Sequence, residues 1–293
     1  MSELESLTKL TKDLTKAARN MSDEEARILV DNYYIMQDYR KSYENQIRSI
    51  DYPVTFDETG KKKKLTDEEK EQLNALPKEP HETLDWLLAN AEMLEKGIKT
   101  ILDKYTDQHP IGRWLKSICG IGPVIAAGLL AHIDITKCPT AGHIWSYAGL
   151  NPESKWNKGE KRPWNARLKV VCWKIGQAFV KVSNNEKDVY GKIYKERKAY
   201  ESAKNDAGEY KEQALQKLKD FKIGHQTEAY KWYSQGKLPP AHIQQRAERY
   251  ATKIFLSHLH EYWYEQHFGV PAPAPYPIAI LGHAHKIEIT PSK

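Results

Sequence analysis

Apolar positions along this chain recur at three- and four-residue steps far more often than at two, which predicts helices nearly throughout. Residues 22–50 set Leu29, Tyr33, Met36, Tyr43 and Ile47 on one stripe, and no Gly or Pro interrupts before Pro53. Ser22 and Glu25 stand three apart at the start, the spacing of a capping box. The segment predicts a helix of about seven or eight turns. Residues 53–80 have Pro at both ends, Gly60 and a four-lysine run, and read as a loop; a short helix is expected from Thr66, where Thr66 and Glu69 repeat the capping spacing. From His81 to about Lys104, Leu84, Leu87, Leu88, Ala91, Leu94, Ile98 and Ile101 form a second long stripe. Residues 1–108 are thus expected to form a helical hairpin, coiled-coil-like and a dimerisation element; packing of these helices on a second domain is the plain alternative.

The stretch "WLKSICGIGPVIAAGLLAHI", residues 114–133, is the one long apolar run, and two glycines break it near its middle. It predicts a helix from His109 to Ile118, a tight turn over Cys119–Gly122 and a second helix from Pro123 to Ile133, with Pro123 where a first helical turn tolerates it. A further helix is expected from near Asn165, with Leu168, Val171, Cys172, Ile175 and Phe179 facing inward. Residues 183–245 are polar, rich in Lys and Glu, and read as a helical surface insertion. Residues 246–268 regain a stripe at Ala247, Ala251, Ile254, Phe255, His258, Leu259 and Tyr262, stopped by Gly269 and Pro271. The fold class expected is mostly α: a hairpin over 1–108, a helix–hairpin–helix domain over 109–182 plus 246–270, the insertion between them, and an extended tail over 271–293.

Charge sharpens this outline. The 293 residues carry a net +6, but residues 1–108 hold 17 Lys/Arg against 23 Asp/Glu, whereas residues 153–198 hold 13 against 5. A basic centre behind an acidic segment points to a polyanion-binding face. The apolar run falls short of the roughly 20 residues needed to span a bilayer, and the first residues lack the apolar centre of a secretory signal. Three cysteines, Cys119, Cys138 and Cys172, cannot all pair and form no Cys-x-x-Cys, so a reducing cytoplasm is the expected compartment.

The glycines permit backbone angles that side chains forbid and leave turn amides uncovered, a ready place for a phosphate oxygen at a helix N-terminus. Candidate contacts are therefore Gly120, Ile121 and Gly122, with Lys116 beside them. The loop that follows adds Lys155, Lys158, Lys161 and Arg162, interleaved with Trp156 and Trp164 as in surfaces where bases stack. Arg167, Lys174 and Lys181, each seven apart, make a basic row on the next helix, with Lys169 nearby. Either tryptophan could instead anchor the core.

With these residues in view, "SICGIGPVIAAGLLAHIDITKCPTAGHIWSYAGLNP" and the later "WNARLKVVCWKIGQAFVKV" resemble the C-terminal domain of insertion-sequence transposases of the IS116/IS110/IS902 type. The resemblance covers about residues 110–182 and extends through 246–268. It implies a domain that binds DNA, and in guided members an RNA partner, next to a coiled coil to which residues 22–108 would correspond. The sequence also departs from that family. Residues 1–108 show no βαβ pattern for the ribonuclease-H-like domain whose four carboxylates hold divalent metal. The family's serine nucleophile, just before a glycine, falls near Asn157, and an amide cannot replace a hydroxyl there. Ser154 is the nearest hydroxyl and the one weak catalytic candidate, though it stands earlier than the pattern asks. The family's Gly-Asn step is Trp164-Asn165, and the arginine expected after Leu168 is Lys169.

His258, His260, His267, His283 and His285 invite a metal reading. His258 falls on an apolar face and reads as a satisfied core histidine, His260 and His267 are placed on the outer side, and His283 and His285 lie in the tail. With no cysteine among them, no metal is expected, and divalent metal enters only for an active recombinase. The function expected is DNA binding through phosphate contacts. The alternatives are an active transposase or recombinase with a partner-supplied active site, and a structured-RNA-binding or assembly scaffold. The partners expected are DNA, or structured RNA, and a second copy through residues 22–108, with no membrane.

Overall fold

The computed structural model of the chain describes residues 12–51, 56, 58, 60, 63, 66–75, 81–274 and 287. Its regular structure is helical, with no strand among the described residues. The chain divides into two compact units, Met1–Tyr105 and Thr106–Lys293.

The first unit contains α1 (Lys12–Ala17), α2 (Asp23–Asp51), α3 (Asp67–Ala75) and most of α4 (Glu82–Gln108). Both capping boxes form: the Ser22 amide donates to Glu25 at 2.8 Å while the Glu25 amide donates to the Ser22 hydroxyl at 3.3 Å, and Thr66 and Glu69 repeat the exchange. Three contacts show that α2 and α4 run antiparallel. Tyr105 donates to Asp23 at one end, Arg40 and Glu95 pair at 2.6 Å in the middle, and His81 meets Asp51 at the other end. Ala26, Val30, Ala91 and Leu102 are buried, but Leu94 of the expected stripe is exposed, as are Ile28, Ile35 and Tyr39 on α2. Two helices offer each other only one seam, so part of a broad apolar surface stays outside it.

The second unit holds α5 (Gly112–Ser117), α6 (Pro123–His132), α7 (Ala141–Tyr147), α8 (Ala166–Val182), α9 (Tyr190–Asp206), α10 (Lys211–Asp220), α11 (Glu228–Ser234) and α12 (Pro240–Phe268). The helix expected over His109–Ile118 is shorter. α4 continues to Gln108, a turn follows at Pro110, and α5 starts at Gly112, where a Cβ would overlap the Thr106 carbonyl oxygen. α12 is the central element, packed by α7, α8 and α9. Phe179 of α8, Tyr190 of α9 and Phe255 of α12 meet in one aromatic cluster with centroids 4.9–5.6 Å apart. As expected, Leu168, Val171, Cys172, Ile175 and Phe179 are buried along α8.

Residues 183–245 are less peripheral than their polar composition implies. Tyr190, Ile193 and Tyr194 bury one side of α9 along α12, and Ala214, Leu238 and Ile243 form a small core flanked by Tyr210 and Tyr233. Polar groups seal this part: Glu201, 1% exposed, takes Arg197, Arg246 and Tyr210, and Asn205 bonds both the amide and the carbonyl of Leu238. Such pairing is what lets a carboxylate stay charged inside a fold.

Candidate nucleic-acid interface

The two glycines of the hairpin serve different ends. Gly120 has φ of +90° and lies against α8, where a Cβ would come within 3.3 Å of Val182 Cγ2 and 3.5 Å of Phe179 Cδ1. Gly122 is extended, a Cβ there would meet nothing within 4 Å, and it is the N-cap of α6 with no capping side chain. Ile121 between them is buried, and its amide donates to the Ile118 carbonyl. The electrostatics behind the turn run against an anion. Asp188 is 1% exposed, and burial raises its pKa against the opposing pull of the Gly191, Lys192 and Val189 amides and the Lys192 ammonium. The Cys119 thiol is pushed up by burial and then by Asp188, which places that carboxyl close to the turn. Lys116 is committed to Asp107 at 2.6 Å.

The basic loop is built separately, at the other end of α8. Asn165 caps that helix, accepting from the Leu168 amide at 3.0 Å, and its own amide reaches the Tyr147 hydroxyl. Trp164 is packed on Gly149, whose φ of +66° and missing Cβ leave room for the indole. It therefore anchors the loop. Trp156, 46% exposed, stands edge-on to it at 6.5 Å and donates to the Glu160 carbonyl. Asn157 donates its amide and side chain to the Glu160 carboxylate, so the residue at the family's serine place holds the loop's shape. Lys155, Lys158, Lys161 and Arg162 are exposed around this frame, and Arg162 lies 4.5 Å over the Trp156 ring.

The structure adds two cations, Arg249 and Lys253, to Lys169. Lys169 sits 4.2 Å over Trp164, and Lys253 of α12 sits 4.4 Å over Trp145 of α7, whose indole N–H donates to the Lys253 carbonyl. Arg249, one turn before Lys253, lines a groove between α8 and α12 together with Lys169. These groups crowd one another. Lys169 is held below the usual lysine range by burial of its stem, then by Arg162 and Arg249; Lys253 is lowered by burial and Arg249; Arg249 is lowered by burial and Arg246, against a weaker pull from Glu248 and Glu201. Among the described residues none of Arg162, Lys169, Arg249 or Lys253 has an ion-pair partner. The signal in the sequence was Arg249 and Lys253 at i, i+4, which the apolar stripe of the same helix overshadowed.

The candidate residues therefore fall into two groups. Arg162 and Lys169 gather at the start of α8 with Arg249 and Lys253, and Lys155, Lys158 and Lys161 are exposed on the loop that leads into that helix. Gly120–Gly122 pack near its end, about 20 Å away at 1.5 Å per helical residue. The row Arg167, Lys174 and Lys181 runs along another side of α8 and connects the two ends, with Lys174 over Trp173 at 5.4 Å.

Ser154 lies half-buried in the turn after Pro152, and no histidine or lysine bonds its hydroxyl among the described residues. The histidines are otherwise employed. His258 is buried between the Tyr190 hydroxyl and the Ile287 carbonyl, as expected of a core histidine. His260, expected on the outer side, is also buried and bonds the Cys138 carbonyl at 2.8 Å, because α12 is enclosed on more than one face. His267 is exposed, and His283 and His285 lie outside the described residues. No described helix is long and apolar enough to cross a membrane.

Residues 112–190 match the family model described as Transposase IS116/IS110/IS902 family, a stretch that runs from α5 to the start of α9 and takes in the hairpin, the basic loop and all of α8. No curated protein and no solved structure matches the chain.

Proposed function

We propose that the protein binds DNA through its phosphates, at a surface made by the loop 153–165, the first turns of α8 and the middle of α12. The observation that carries this is the crowding of Arg162, Lys169, Arg249 and Lys253, each depressing or resting against another with no carboxylate paired to it. Such an arrangement is strained by its own charge until an anion shares it. Binding to phosphates gives affinity with little sequence choice. The transposase-family match over residues 112–190 supports the same ligand class. The Gly120–Gly122 hairpin is a second, weaker contact, since a carboxylate lies behind it and Lys116 is already paired. Self-association through residues 22–108 belongs to the same reading, and the exposed Ile28, Ile35 and Tyr39 on α2 support it.

The test is a fluorescence-anisotropy titration of a DNA duplex with the full chain. Lys158→Glu with Arg162→Glu should weaken binding at least tenfold for duplexes of any sequence; unchanged affinity would remove the site. Strand transfer rests on the family match alone. A covalent adduct with nicked DNA and magnesium, lost in Ser154→Ala, would establish it.

A further inference from the structure

We infer that the groove between α8 and α12 receives the base of a single unpaired nucleotide within a nucleic-acid strand, while Lys169, Arg249 and Lys253 hold the phosphates on either side of it. The inference rests on the DNA-binding reading and adds to it a ligand conformation.

Size comes first. The groove encloses about 150 Å³. That is well under the roughly 300–1,000 Å³ of pockets for drug-sized ligands, and close to the space that holds one benzene-sized ring. A dinucleotide cofactor is too large. One flat heterocycle, with an edge left at the open side, fits.

Lining chemistry then separates ring from anion. Leu150, Cys172, Gly176 and Trp173 supply the apolar part of the lining, and Trp173 keeps 53% of its surface exposed. Val170, half exposed, extends this apolar strip along α8. A hydrophobe that size on a helix surface, with one face of the indole under Lys174, is set out as a stacking platform. Glu248, 4% exposed, also lines the groove; its two oxygens accept from Gln177 at 2.8 Å and Gln244 at 2.9 Å. A buried carboxylate in the lining repels a phosphate from the interior, yet each oxygen keeps a lone pair for a ring N–H or an exocyclic amine. A neutral base inside and phosphates at the rim satisfy both demands.

The rim fits that division. Lys169 and Arg249 stand on opposite helices at the groove, and Lys253 follows Arg249 by one turn, about 6 Å along α12. Cations spaced in this way suit successive phosphates of one strand, so the nucleotide is taken as part of a strand. An unpaired base is the cheapest to present, because it has no pairing to break and the least stacking to lose.

Anisotropy titrations with the full chain decide the matter, using three labelled ligands: a duplex, the same duplex with a single-nucleotide bulge, and the bulged duplex with that base removed. The bulged duplex should bind about tenfold tighter than the other two, in line with stacking of one base on an aromatic platform. Trp173→Ala and Arg249→Gln, both at exposed positions, should each abolish the preference, and Trp173→Ala should leave affinity for the plain duplex within about twofold. Equal affinity for all three ligands overturns the inference and leaves DNA binding standing, whereas no affinity for any overturns both. Persistence of the preference in Trp173→Ala would also overturn it. So would a free nucleoside monophosphate that displaces the bulged duplex at concentrations near the duplex's own dissociation constant.

Discussion

At the scale of single residues, glycines show how backbone needs and binding needs separate. Gly112 has room for no side chain, since a Cβ would strike the Thr106 carbonyl oxygen. Gly112→Ala should therefore cost about 1–3 kcal/mol in a denaturant melt, the range of forced overpacking. Gly120 carries both a positive φ and close packing, but Gly122 carries neither. Gly120→Ala should lower the melting temperature by several degrees and Gly122→Ala should leave it unchanged. If the hairpin contacts DNA, Gly122→Ala alone weakens binding without touching stability, and equal affinity would limit the interface to the basic loop and α12. The titration of His242 gives a pH signature. Burial, with Arg249, Arg246 and Lys217, holds its pKa down to about 4 against an ordinary 6.5. The folded ring stays neutral while the unfolded chain takes up a proton, so this contribution is intact above pH 6.5 and is lost as pH falls toward 4. Melting temperatures across that window should fall, and His242→Gln should flatten the decline. The paired glycines were plain in the sequence. Which of them was structural depended on Phe179 and Val182, about sixty residues away, and could not be read locally.

At the scale of elements, the long helices were legible because their signals are local. Two capping boxes, an Asn N-cap and proline at a first turn all formed where residue types asked for them. Misjudged elements were those whose status is set by neighbours. The turn before α5 is imposed by Pro110 and by contact with Thr106, and α9 looks polar because its buried side includes Glu201 and Asn205, whose partners include Arg246 of α12 and the Leu238 backbone. Removing that carboxylate should test the join: Glu201→Ala should destabilise by about 2–3 kcal/mol, below the full range for a broken buried pair because Arg197 and Arg246 keep some solvent. On α2, the exposed Ile28, Ile35 and Tyr39 make a stripe apart from the α4 seam. Ile35→Ser with Tyr39→Ser should shift light-scattering mass toward that of one chain if residues 22–108 self-associate, and an unchanged mass would withdraw that part of the proposal.

At the scale of the whole molecule, the net charge of +6 matters less than its placement. Arg162, Lys169, Arg249 and Lys253, with one phosphate each, predict that log affinity for duplex DNA falls with log salt at a slope of at least about −3 to −4, steeper as the loop lysines add contacts. A flat response would mean the surface is not a phosphate contact. The sequence by itself determined the helical class, the position of the glycine turn, the basic segment over 153–198 and the resemblance to a transposase-type domain. All of these are written in spacing, caps and local charge, which act within a few residues. Only the tertiary structure decided that Arg249 and Lys253 join Lys169, that the hairpin lies at the far end of α8 with Asp188 behind it, and that His260 is interior. Those facts depend on which helices pack together, and packing brings near one another side chains that the chain itself keeps about seventy or more residues apart.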